Sequence, residues 1–170
     1  KAHLLQFPHM AYTRFLRWAL LVGSALIFFI PFIIADGGAG YQNTSSANLY
    51  IPIWGMYFPF ITGKNFMFRI VVELMLGAYV LLALREPKYR PRASMLGWTM
   101  LAFVLWMAVS TVFSIDPIKS FWSNFERMEG YLTLLHFLAY FFIVSTVVTV
   151  ERWWDKLFQF SIVSGALMGA

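Results

Sequence analysis

Long apolar blocks alternate with short polar segments along this chain. A helix needs roughly 20 mostly apolar residues to cross about 30 Å of hydrocarbon. Four blocks, 15–34, 66–84, 95–115 and 131–150, come close to that length, and a fifth, 157–170, begins before the chain stops. The pattern predicts an all-α polytopic transmembrane helical bundle of about five spans, a single membrane domain. The first block follows Arg14 and Arg17 and is long for the core of a signal peptide, so it is expected to stay as an anchor. The chain starts at Lys1 without Met and stops at Ala170 inside an apolar run, which suggests a piece of a longer protein.

Composition supports the bilayer as solvent. Of 170 residues 60% are hydrophobic and 12% charged, against about 25% charged in a soluble domain. Aromatic residues reach 19%, an abundance that suits lipid-embedded helices and headgroup-level rings. The net charge of +5 does not point to nucleic acid, because the cations fall in clusters between apolar runs. Those clusters give an orientation. One set of connections holds Lys1, Arg14, Arg17, Arg85, Lys88, Arg90, Arg92, Arg152 and Lys156; the other holds Lys64, Arg69, Lys119 and Arg127. The excess of Lys and Arg places the first set, and the amino terminus, in the cytoplasm.

The connecting segments differ in kind. Residues 85–92, REPKYRPR, carry two prolines and four cations, so they cannot continue a helix and are expected at the inner headgroups. Residues 36–48 read as a flexible outer loop, and 50–64, YIPIWGMYFPFITGK, as an aromatic loop dipping into the outer interface. The sequon at Asn43 is a frequent chance match.

Candidate chemistry gathers at the outer side. In SIDPIKSFWSNFERMEG, 114–130, Asp116 then Pro117 has the form of an N-cap followed by proline at the first helical position, and Gly130 of a helix stop. A helix of about thirteen residues is expected between them. Phe121, Phe125 and Met128 would form its apolar stripe, Ser120, Asn124 and Arg127 a polar one, and Trp122, Glu126 and Glu129 a third. This predicts an interfacial amphipathic helix on the outer face, presenting Arg127 to a cavity; a plain interfacial linker is the competing reading. Arg69 and Glu73 lie four residues apart inside the second block, where an ion pair fixing helix packing competes with a role in a substrate cavity. Lys64 and Arg69 could meet a diphosphate, or lipid headgroups, by charge-assisted hydrogen bonds. His136 lacks a second His or an acid at catalytic spacing along its helix, and Ser161, Gly165 and Gly169 repeat at a spacing that permits close helix approach. There is no Walker-type loop, GxGxxG after a strand, HExxH or GxSxG. Without cysteine, thiolate chemistry and disulfides are excluded, and neither a metal nor a cofactor is expected.

Together, FPFITGKNFMFR (58–69), REPKYRPR and DPIKSFWSNFERMEG resemble the amino-terminal half of the O-antigen ligase and polymerase family, over about residues 58–150. SFWSNFERMEG is the strongest part. The resemblance implies a bacterial inner-membrane glycosyltransferase of cell-envelope and lipopolysaccharide biosynthesis. It would move a glycan from undecaprenyl diphosphate to an acceptor lipid or protein on the outer face. It implies substrate contacts at Arg127 and Glu129 in ERMEG and at Lys64 and Arg69 in GKNFMFR, to which Glu73 is added as a cavity residue. The family's catalytic outer loop comes later in the chain, so the base is expected beyond Ala170 and this fragment alone is expected to be inactive. A transporter or flippase segment and a noncatalytic membrane scaffold are the rival readings.

Overall fold

The computed structural model describes residues 6–35, 49–51, 62–124 and 129–169, with side chains over 11–32, 63–124 and 129–169. Six α-helices dominate: α1 (Gln6–Leu26), α2 (Thr62–Arg85), α3 (Met95–Val112), α4 (Pro117–Trp122), α5 (Tyr131–Val147) and α6 (Glu151–Gly169). Among the described residues the strands are two short segments, β1 (Ile33–Ala35) and β2 (Leu49–Ile51), paired in parallel with Ile34 opposite Tyr50. The remainder is all-α.

Three segments, Ala11–Phe32, Gly63–Arg85 and Met95–Val112, are long and apolar enough to cross a bilayer. Their outward surface fits an apolar solvent: Leu74, Leu84, Trp98 and Trp106 are all exposed. The two later helices depart from their expected bounds. α5 ends at Val147, three residues early, within a run of five consecutive β-branched residues, 146–150, that favours extended backbone over helix. At 17 residues it rises only about 26 Å. α6 begins at Glu151 rather than near Leu157, and Glu151 in its first turn complements the helix dipole. Its charged first turns hid that start from an apolar-block reading.

α4 is also shorter than expected. Asp116 Oδ1 accepts from the Lys119 amide at 3.0 Å and Pro117 follows, as a capped start requires. The helix then stops at Trp122, because Ser123 takes φ 69°, outside helical backbone. The expected thirteen-residue amphipathic helix is therefore six residues long. Phe125, Glu126, Arg127 and Met128 lie outside the described residues. Gly130 is the N-cap of α5 rather than a stop for α4. A Cβ there would collide with the Phe121 carbonyl and the Ser123 amide, so the close return of the chain requires glycine.

The core sits where α1, α2 and α5 meet, with Leu16, Leu20, Met75, Tyr79, Leu82, Ile143 and Val147 buried together. Gly23 lets α2 approach α1: a Cβ at that position would lie 2.8 Å from Met75 Cγ. After Leu26 the chain tightens into a 3₁₀ turn, Ile27–Phe32, with Pro31 inside. In such a turn the Phe28 carbonyl would accept from residue 31, but proline has no N–H. Ser164 Oγ on α6 donates to that carbonyl instead. That bond ties α6 to the turn after α1, beside the Trp18–Trp153 and Phe29–Phe160 ring contacts.

Candidate functional site

α2 and α5 face each other through polar side chains as well as apolar ones. On α2, Asn65, Arg69 and Glu73 recur every four residues and so share one face. On α5, Thr133 and His136 are three apart and face them. Arg69 Nη2 donates to Thr133 Oγ1 at 2.8 Å, and Asn65 Nδ2 reaches the same oxygen at 3.5 Å. All three residues are buried. A turn deeper, His136 Nε2 lies 3.1 Å from Glu73 Oε1, while His136 Nδ1 meets the Leu132 carbonyl at 2.7 Å.

A backbone carbonyl only accepts, so Nδ1 carries a hydrogen. The contact of His136 Nε2 with Glu73 Oε1 then joins α5 to α2, and pairing of this kind lowers the cost of ionisable side chains inside an apolar stretch. Glu73 is ten residues from Gly63 and twelve from Arg85, near the middle of its segment. Its side chain remains 65% exposed, against 9% for His136.

Above the ladder, where α2 and α5 both start, lies a cleft of about 500 Å³ lined by Lys64, Asn65, Phe68, Glu129, Thr133 and Phe137 among others. Phe68 and Phe137, ring centroids 4.8 Å apart, form its apolar wall. Lys64 supplies a cation, Glu129 a carboxylate, and Asn65 and Thr133 the polar floor. The capped turn at Gly130 holds Glu129 at the rim, and the helical spacing of Lys64, Asn65 and Phe68 turns them to one side of α2. Such a cleft suits an amphipathic ligand with an anionic group beside an apolar chain.

Of the residues expected to act together, the structure brings Lys64 and Glu129 into this cleft and Arg69 beneath it, on Thr133. Glu73 is set apart, a full turn deeper, on His136. Arg127 lies outside the described residues. Sequence reasoning missed Asn65 and Thr133 and found no partner for His136. The signal was present in pairs: polar residues four apart on one span and three apart on another can only be matched once both rotations are known. Among the described residues no group of three or more His, Asp and Glu stands together as a metal site. No family model, curated protein or solved structure matches the chain.

Proposed function

We propose that the chain is the carrier-binding part of a membrane glycosyltransferase of the O-antigen ligase type, in a bacterial inner membrane with its amino terminus in the cytoplasm. The observation that carries this reading is the joint lining of one cleft by Lys64 and Glu129 above the buried Arg69. The cation suits the diphosphate of an undecaprenyl-linked glycan, the carboxylate suits sugar hydroxyls, and the Phe68–Phe137 wall suits the prenyl chain. In the transfer, an acceptor hydroxyl oxygen bonds to the anomeric carbon as the bond from that carbon to the diphosphate breaks. The diphosphate leaves with the bonding electrons, and cations at the cleft stabilise its growing charge. The base that takes the acceptor proton is not among the described residues.

The same reading makes the bundle five-spanning. α5 packs against α1, α2 and α3, each part of a segment able to span, so it shares their layer despite its length. α6 follows as a fifth span, and α4 lies at the outer interface beside the cleft. The test is glycan transfer in the full-length protein. Arg127→Ala and Lys64→Ala are expected to abolish it while expression and membrane insertion persist. Unchanged transfer in both variants would remove these cations from the site.

One observation favours the transporter or flippase reading instead: Glu73, the partner of His136, stands near the middle of its segment with an exposed carboxylate. That reading expects a Glu73→Gln variant to lose substrate movement across the membrane, whereas the transferase reading expects cleft binding to survive it.

A further inference from the structure

At the opposite end of the bundle from Lys64, the connection between α2 and α3 builds a second polar cavity. The connection is folded back rather than trailing. Tyr79 Oη donates to the Tyr89 carbonyl at 3.0 Å, and Arg90 Nε donates to the Ala83 carbonyl at 3.2 Å. These bonds hold Lys88, Arg90 and Arg92 around a cavity of about 160 Å³ that also touches Ser94, Phe142 and Thr146. A groove of about 270 Å³ shares Arg92, Ser94 and Phe142 with that cavity and continues past Gly97, Trp98 and Leu101 along α3.

The charges there are not all balanced. Lys88 Nζ lies 3.6 Å from Glu86 Oε2, but among the described residues no carboxylate is within ion-pair distance of Arg90 or Arg92. Arg90 uses its Nε on Ala83 and retains its terminal nitrogens. Ser94 Oγ accepts from the Gly97 amide at 3.0 Å, which leaves its own hydrogen to donate. Ser94 is also the N-cap of α3, so the positive end of an 18-residue helix lies at the same place. A phosphate is the group that takes forked guanidinium, hydroxyl and helix-terminus donors together. The adjoining groove, walled by Trp98, Leu101 and Phe142, accommodates a hydrocarbon chain, which a free phosphate does not carry.

We propose that this end of the bundle binds one anionic glycerophospholipid, with its phosphate at Arg90, Arg92 and Ser94 and an acyl chain in the groove along Trp98 and Leu101. The site rests on the membrane embedding of the bundle and is independent of the transfer reaction. The lipid wedges between α3 and α5, and so ties to the bundle a helix that otherwise buries little more than Gly97 and Val104.

Native mass spectrometry of the purified protein tests this, with equimolar phosphatidylglycerol and phosphatidylcholine in the detergent. The wild type is expected to retain one phosphatidylglycerol in preference to phosphatidylcholine. Arg92→Gln is expected to retain about tenfold less, the effect of losing one charge-assisted contact. Leu101→Trp, which fills the groove and leaves every cation in place, is expected to lose retention as well. Arg85→Gln removes a cation that packs over the Tyr12 ring instead of lining either cavity, and is expected to match the wild type. Equal retention of the two lipids, wild-type retention in Arg92→Gln, or equal loss in Arg85→Gln and Arg92→Gln would each overturn the site. Displacement of the bound lipid by millimolar inorganic phosphate would overturn the lipid as its occupant. Circular dichroism on each variant confirms the fold, and should Arg92→Gln fail to fold, Leu101→Trp decides.

Discussion

Glu73 Oε1 and His136 Nε2 stand 3.1 Å apart, joining the middle of α2 to the second turn of α5. His136 Nδ1 meets the Leu132 carbonyl, so Nε2 is the ring nitrogen that faces Glu73. His136→Ala leaves the Glu73 carboxyl without that contact. The expected loss is about 1–3 kcal/mol of stability in detergent, as for an unsatisfied polar group. Glu73→Gln keeps a partner, because the amide N–H of the glutamine can donate to Nε2 of a neutral ring, and is expected to melt within a few degrees of the wild type. Equal losses in the two variants would mean that the pair contributes packing alone.

The Arg69–Thr133 bond predicts a sharper contrast. Thr133→Ser keeps the oxygen that Arg69 donates to at 2.8 Å, whereas Thr133→Val keeps the shape and removes it. Valine at this position places a buried guanidinium against a methyl group, and the expected cost is roughly 1–3 kcal/mol more than for serine. Thermal melts of the two variants side by side provide the check.

Pro31 and Ser164 should be coupled, since the serine supplies the donor that proline lacks. Ser164→Ala is expected to cost about 1 kcal/mol in the native background. In a Pro31→Ala background residue 31 regains an N–H for the Phe28 carbonyl, so the same change should cost clearly less. A double-mutant cycle reads the difference directly, and an additive result would contradict the shared role.

Gly130→Ala tests the turn that sets Glu129 at the cleft rim. The new Cβ meets the backbone of Phe121 and Ser123 rather than a flexible side chain, so the turn itself must shift. A destabilisation of about 1–3 kcal/mol is expected. It should be accompanied by weaker ligand binding in the cleft, which Gly77→Ala, at an open position, should not cause.

The apolar blocks made the helices legible from residue order alone, because hydrocarbon thickness imposes a length that hydropathy displays. Helix ends were less legible. Glu151, Arg152, Asp155 and Lys156 look like a connection on a hydropathy scale, yet they form the first turns of α6. Ser123 carried no signal that it would take a positive φ, and Gly130 read as a stop because its true constraint, the nearby Phe121 carbonyl, comes from another element. The ladder shows the same limit. Arg69 and Glu73 were recognisable as ionisable residues inside a span, but Thr133 and His136 come more than sixty residues later. Only the relative rotation of α2 and α5 decides which of them meet.

The proposed occupant of the cleft at Lys64 and Glu129 is a lipid-linked diphosphate. Its most direct test is the equilibrium affinity of undecaprenyl diphosphate for the protein in nanodiscs, compared between wild type and Lys64→Gln, with undecaprenol as the uncharged control. Affinity about tenfold weaker is expected in Lys64→Gln, at an unchanged melting temperature, with weak binding of undecaprenol by both proteins. Equal affinity of the two proteins for the diphosphate, or equal affinity of the wild type for diphosphate and alcohol, would contradict it.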